Sequence, residues 1–190
     1  MSIIKKENKI KTKNNNKKGE KHMNLNLTKI NSLKPDFKKL NEEITTIKTF
    51  YNEFDVKSKE SKELFNELMN FQDEDGSFKL IDSFKIEKDA RIAYCYYPTY
   101  LVTAIMIEAY LYDKNYCIDL EEKLKIALHF STLRGLSNGD SYGEEYFDNV
   151  MIFVNKGARK FIDDYPNICN EFTDLLTKHI NYYISKGKIK

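Results

Sequence analysis

The chain is 190 residues long and carries 31 basic and 29 acidic residues, for a net charge of +2. Its three cysteines are widely spaced and form no Cys-x-x-Cys pair, which excludes a disulfide framework and a zinc knuckle and favours a reducing cytoplasm. Because 13 tyrosines and 12 phenylalanines can supply a large apolar core, residues 23–190 are predicted to form a single domain.

The first 22 residues differ in character from the rest of the chain. They contain eight lysines and two glutamates around a run of three asparagines, and no apolar stretch long enough for a signal peptide or a membrane span. This composition predicts a disordered basic extension over residues 1–22.

The extension has three interpretations: a tail for nucleic acid or membrane, a plain solubilising segment, or sequence that is not translated in the native host. We favour the third, because Lys18-Gly19-Glu20 can be encoded by a purine-rich ribosome-binding sequence shortly before Met23. The native chain is then expected to begin at Met23. The abundance of lysine, asparagine and isoleucine also indicates an AT-rich, bacterial genome.

The charge of the remaining residues changes the choice of partner. Residues 23–190 carry 23 basic and 27 acidic residues, so the basic excess comes from the extension alone. For residues 23–190 we therefore expect no nucleic-acid partner, and we expect no association with a membrane.

Apolar residues at helical spacing predict an all-α protein of about six helices. The expected helices cover residues 36–54, 58–71, 99–114, 119–130, 144–156 and the segment that follows Pro166. Pro98 suits the first turn of the third helix, which is apolar nearly all round and is therefore expected at the centre. Asp119 and Glu122 are expected to cap the fourth helix. Residues 80–86 alternate like a short strand, although an extended loop fits equally well.

A turn motif follows the second helix. Gln72, a run of acidic residues, Gly76 and Phe78 come directly after an apolar helical stripe that ends at Phe71. This Gln-x-x-x-Gly-x-aromatic pattern resembles the aromatic-glutamine repeat of α/α-toroid proteins, the superfamily of terpenoid cyclases and protein prenyltransferase β subunits. The resemblance implies a structural role, in which the Gln72 amide ties helix ends together and the Phe78 ring stacks beside it.

A weaker second copy of the motif follows at an interval of 63 residues. Asn138-Gly139-Asp140-Ser141-Tyr142 echoes Asp75-Gly76-Ser77-Phe78, but no glutamine stands at the matching place. Tyr97-Pro98-Thr99-Tyr100 also resembles the inner-helix pattern of the same proteins. The resemblance therefore implies stacked helical hairpins that form part of an α/α-toroid.

If the hairpins stack in parallel, loops 72–98 and 134–144 emerge at the same end, which faces the central cavity in toroids. The candidate ligand-binding residues on these loops are Asp89, Arg91, Tyr94, Tyr97, Arg134, Asp140, Tyr142 and Glu144. Such a group can bind a small anionic ligand or a sugar, or perform acid–base chemistry. In the alternative interpretation Asp89 pairs with Arg91 or Arg134, and the tyrosines fill the space between helices.

The scarcity of arginine leads to a separate expectation. Arg91, Arg134 and Arg159 are the three arginines of a chain that uses lysine almost everywhere. Lysine replaces arginine at a solvated surface but not where a planar bidentate group is needed. Arg91 and Arg134 are therefore expected to be partly buried and paired.

The other groups of polar residues predict no catalytic or metal-binding site. Cys95 and His129 belong to no metal motif and are expected to be a small buried side chain and a packed histidine, so we expect no metal and no cofactor. No catalytic residue can be assigned. The sequence therefore predicts a small soluble helical binding or interaction module, with a homodimer or another protein as its partner. The alternative is a toroid-type enzyme with cyclase-like or carbohydrate-directed chemistry.

Overall fold

The computed structural model describes residues 37–78, 88–136 and 146–190, with side chains from residue 44 in the first helix and from residue 96 in the third. These residues form seven α-helices and no named strand, which confirms the all-α prediction. The basic extension and residues 80–86 lie outside the described residues.

The helices follow one another with short connections. Their bounds are α1 Phe37–Glu53, α2 Lys59–Leu68, α3 Lys88–Tyr112, α4 Leu120–Ser131, α5 Phe147–Val154, α6 Ala158–Asp164 and α7 Asn170–Ser185. A 3-10 turn over Met69–Phe71 continues α2, and a π-helical segment over Thr132–Leu136 continues α4. The first, second and last helices therefore lie close to their predicted positions.

The third helix is longer than predicted. It begins at Lys88 rather than at residue 99, so Pro98 lies inside the helix and not in its first turn. A proline inside a helix costs about 3 kcal/mol because a backbone hydrogen bond is lost. Pro98 and its neighbours Thr99 and Tyr100 are buried, and we attribute the tolerance of Pro98 to this burial.

The prediction that α3 is central is confirmed by its packing. Its middle turns, Leu101–Ile107, are buried on every side, and α3 contacts α1, α4, α5 and α6. Within the part of the chain that the structure describes, no helix is both long enough and apolar enough to cross a membrane.

Two other helix ends differ from the prediction. Asp119 precedes α4, but its backbone is left-handed, with φ of 55°, and its side chain makes no capping hydrogen bond. A capping side chain requires an extended backbone, so the predicted pair of Asp119 and Glu122 is wrong. The predicted helix 144–156 ends at Val154, and Gly157, with φ of 84°, precedes the short α6 that the sequence did not predict.

An ion pair fastens the helices that surround α3. Lys156 Nζ lies 2.7 Å from Glu108 Oε2 and 5.0 Å from the ring centre of Tyr51. The Tyr51 hydroxyl in turn donates a hydrogen bond to the carbonyl oxygen of Ile152 at 2.8 Å. These contacts join α1 and α3 to α5 and the turn before α6.

Candidate functional site

The glutamine turn, residues 72–78, lies against α4. The Gln72 Nε2 amide donates a hydrogen bond of 2.8 Å to the carbonyl oxygen of Lys123, 51 residues further along the chain. Gln72 and Phe78 face each other in an isolated antiparallel bridge, and the Asp73 N–H donates to the Ser77 carbonyl oxygen at 2.8 Å. The amide of Gln72 therefore links the end of the second helix to the fourth.

Gly76 and Phe78 fix the same turn from its other side. Gly76 has φ of 87°, and a Cβ added there would lie 2.4 Å from the carbonyl oxygen of Ile126. Phe78 is fully buried, and its N–H donates to Thr99 Oγ1 at 3.0 Å. The Gln72 amide and the Phe78 N–H thus bind other parts of the fold, which supports a structural role for the turn.

The second loop begins where α4 meets α3. Ser131 Oγ donates to Thr103 Oγ1 at 3.3 Å, and Thr103 Oγ1 donates to the Thr99 carbonyl oxygen at 2.7 Å. Four residues later, Gly135 lies so close to Tyr100 that an added Cβ would be 2.4 Å from its ring. The glutamine turn and the π-helical segment therefore reach α3 at the adjacent residues Thr99 and Tyr100.

Tyr100 is the centre of this region, which we call the loop end: Tyr96, Tyr100, Arg134, Tyr146 and His179. Burial raises the pKa of Tyr100 well above its ordinary value, the nearby Tyr96 and Tyr146 raise it further, and Arg134 lowers it. The Tyr96 ring also packs edge-on against Phe130 at 5.6 Å. Tyr100 is therefore a neutral, packed phenol at physiological pH rather than an acid or base.

His179 joins the two described flanks of the second loop. It is 1% exposed, and its Nε2 lies 3.0 Å from the carbonyl oxygen of Leu136, so Nε2 carries the proton and donates. Its ring lies 5.8 Å from that of Tyr146. Leu136 and Tyr146 are the last and first described residues on either side of residues 137–145.

His129 is not a packed histidine, whereas His179 is buried. His129 was expected to be packed, but its side chain is exposed, with Nδ1 3.0 Å from a carboxylate oxygen of Glu171. The apolar residues around His179 on α7 are the signal that would have identified the packed histidine.

The structure separates the predicted site residues. Arg134 is exposed, so the expectation that it is partly buried is wrong: it follows the last turn of α4 and faces solvent. Tyr97 is half-buried on the side of α3 that faces α1, near Tyr51. Burial is the main cause that raises the pKa of Tyr51 to about 12, and Tyr97 makes one of the smaller contributions. Arg134 and Tyr97 therefore lie near different tyrosines.

The remaining candidates stay predictions. Asp89, Arg91 and Tyr94 lie in the first turns of α3, so the predicted loop 72–98 is helical from Lys88 onwards. The side chains of these three residues, and the whole of Asp140, Tyr142 and Glu144, lie outside the described residues.

The described residues offer few groups for catalysis. They include no cluster of three or more metal-binding side chains. Cys117 and Cys169 are half-buried, and burial raises the pKa of both thiols, which leaves neither an activated nucleophile. What the loop end presents to solvent is a cation, the guanidinium of Arg134.

Comparison with protein-family models, with curated proteins and with solved structures finds no match for this chain.

Proposed function

We propose that the chain is a small helical binding module whose loop end binds an anionic group of a ligand. The observation that supports this most directly is the exposed guanidinium of Arg134 beside the buried Tyr100. Among the described residues, no carboxylate lies within 4 Å of Arg134. A guanidinium in that position can form two parallel hydrogen bonds with a carboxylate or a phosphate.

The choice of a binding module over an enzyme follows from the state of its neighbours. Tyr100 stays protonated, and His179 uses Nε2 to hold Leu136. A general acid or base must reach the substrate and titrate near the working pH. Tyr100 is buried and His179 is 1% exposed, so neither side chain reaches a substrate, whereas the exposed Arg134 can contact a ligand.

The proposal is tested by thermal unfolding with a panel of nucleotides, isoprenoid diphosphates and sugar phosphates. A ligand present at about 100 times its Kd stabilises the native state by about 2.7 kcal/mol. For a domain of this size that corresponds to a rise in Tm of roughly 5–10 °C. For a ligand bound at the loop end, we expect Arg134→Ala to abolish the rise and Arg134→Lys to reduce it, because lysine lacks the planar geometry.

Arg159→Ala is the matched control, since Arg159 is also exposed and its Nη1 donates to the Lys190 carbonyl oxygen at 2.9 Å, away from the loop end. The control should keep the full rise in Tm. The proposal is refuted if no ligand of the panel gives a rise in Tm that Arg134→Ala reduces and Arg159→Ala keeps.

A toroid-type enzyme is the second candidate, favoured by one observation. The Gln72 amide links two helices in the way that the resemblance to α/α-toroids implies. Release of diphosphate from an isoprenoid diphosphate, or turnover of a sugar substrate, would favour this candidate over a binding module. A homodimer that completes a toroid across two chains belongs to the binding-module proposal, and the mass in solution measures it.

A further inference from the structure

A cavity of about 350 Å³ opens at the opposite end of α3 from the loop end. It lies between the last turn of α3, the first turn of α4 and the segment that joins α6 to α7. The side chains that matter for its chemistry are Tyr110, Lys114, Glu121, Lys125, Asp164 and Tyr165. Its volume lies within the range of sites that hold small molecules.

The two acidic side chains of the cavity already have partners. The buried Tyr110 hydroxyl donates a hydrogen bond to Glu121 Oε2, and Lys160 Nζ pairs with Asp164 one helical turn away. Burial raises the pKa of Tyr110 above its ordinary value, and the bond to Glu121 raises it further, so this proton stays on the tyrosine. Interactions within the chain therefore hold both carboxylates in place.

The two lysines of the cavity, unlike its two carboxylates, have no partner of opposite charge within 4 Å in the described part of the chain. Lys114 Nζ lies over the ring of Tyr165, 4.4 Å from its centre, and 5.6 Å from the ring centre of Tyr110. Neither Lys114 nor Lys125 forms an ion pair within 4 Å in the described part of the chain. The cavity thus has two ammonium groups that no carboxylate of the described chain contacts within 4 Å, although Glu121 and Asp164 also line it.

An aromatic wall stands beside these cations. The rings of Tyr110 and Tyr165 meet edge to face, with their centres 5.2 Å apart, and Tyr165 is only half-buried. A half-buried ring offers apolar surface to a ligand while Lys114 stays close to its face. The combination suits a ligand with a negatively charged group and a small apolar body.

We infer that this cavity binds a small organic anion, a carboxylate or a phosphate ester, whose charge lies between Lys114 and Lys125. The apolar part of the ligand packs against Tyr165. This site is separate from the loop end, shares no residue with it, and does not depend on the function proposed for Arg134.

The test is an NMR titration of the ¹⁵N-labelled full chain with phenyl phosphate, benzoate and inorganic phosphate. Saturable shifts are expected at the amides of residues 110–125 and 164–168. Phenyl phosphate should bind more tightly than inorganic phosphate because its ring contacts Tyr165. Stronger binding of phenyl phosphate than of benzoate would identify the ligand as a phosphate ester, and the reverse order would identify a carboxylate.

The deciding variant is Lys114→Gln combined with Lys125→Gln, which keeps the length of both side chains nearly unchanged and removes their charge. Binding at the cavity should weaken at least about tenfold, since two charge-assisted contacts are lost. Lys178→Gln, an exposed lysine on α7, is the control and should bind as the unmodified chain does.

The location of the shifts separates this site from the loop end. Arg134→Ala should leave the shifts of the cavity amides unchanged, whatever happens to any shifts near Tyr100. The inference is overturned if the double variant and the Lys178 control bind equally well, if all three probes leave the cavity amides unchanged at millimolar concentration, or if inorganic phosphate binds as tightly as phenyl phosphate.

Discussion

The glutamine turn and the cavity both rest on the first turns of α4, yet they use their polar groups in opposite ways. The Gln72 amide donates to the carbonyl oxygen of Lys123, while two residues further on Lys125 faces the cavity without an ion pair among the described residues. A polar group that is satisfied inside the protein contributes to folding, and one that is not can bind something else. Substitutions in the turn should therefore change stability, and substitutions in the cavity should change binding.

The largest effect on stability is expected at Gly76. Gly76→Ala places a Cβ 2.4 Å from the carbonyl oxygen of Ile126 and keeps a backbone of φ 87°, so we expect a loss of about 2–4 kcal/mol in the free energy of unfolding. Gly187→Ala is the matched control, because Gly187 has φ of 70° but its added Cβ would meet nothing within 4 Å. That control should lose about 1–2 kcal/mol, the cost of the backbone alone.

Both values come from chemical denaturation followed by circular dichroism. If Gly76→Ala and Gly187→Ala lose the same free energy of unfolding, the close approach of the turn to α4 does not contribute to stability. The expected difference between the turn and the cavity is then contradicted.

The hydrogen bond of Gln72 should have an intermediate effect. Gln72→Ala removes a part-buried bond between α4 and the end of the second helix, for which we expect a loss of about 1–2 kcal/mol. Asn70→Ala removes an exposed bond from Asn70 Nδ2, in the 3-10 turn, to the carbonyl oxygen of Asn66 in α2, and should cost less than about 0.5 kcal/mol. Equal losses in the two variants would show that the link to α4 is unimportant.

The smallest effects are expected for two buried tyrosines that differ in one bond. The Tyr51 hydroxyl donates to Ile152, whereas the Tyr116 hydroxyl is buried and has no hydrogen-bond partner in the described part of the chain. Tyr51→Phe should therefore cost about 1 kcal/mol, and Tyr116→Phe should be neutral or slightly stabilising. A loss at Tyr116 as large as that at Tyr51 would contradict this difference.

The same pair predicts how stability changes at alkaline pH. Burial is the main cause that raises the pKa of both Tyr51 and Tyr116 from 10.0 to about 12. Because the pKa is raised in the native state only, each protonated tyrosine contributes fully to the free energy of unfolding below pH 10. This contribution is lost as the pH rises from 10 to 12. Each phenylalanine variant should show a shallower fall in stability over that interval, measured by unfolding at a series of pH values.

The sequence was sufficient for the parts of the fold that depend on local patterns. The positions of α1 and α2 and the burial of α3 all follow from the spacing of apolar residues. The position of Gln72 in a turn also followed from local signals, since an acidic run and a glycine end the helix before it.

The sequence failed where packing overrides a local rule. Pro98 normally marks the start of a helix, but here α3 continues through it among buried neighbours. The short α6 has too few apolar residues to be recognised without the helices against which it packs.

The candidate sites depend still more on tertiary structure. The cavity joins residues near position 115 to residues near position 165, a distance in sequence that no motif spans. Arg134 was singled out correctly as unusual in a lysine-rich chain, but rarity alone could not decide between a buried pair and an exposed cation.

The most direct test of this account is thermal unfolding of two variants with and without phenyl phosphate. Gln72→Ala should unfold at a lower temperature than the unmodified chain but keep the full increase that the ligand produces. The combined Lys114→Gln and Lys125→Gln variant should unfold at the temperature of the unmodified chain and lose most of that increase. If the lysine variant is destabilised while its response to the ligand is intact, the cavity lysines serve the fold and the account is contradicted.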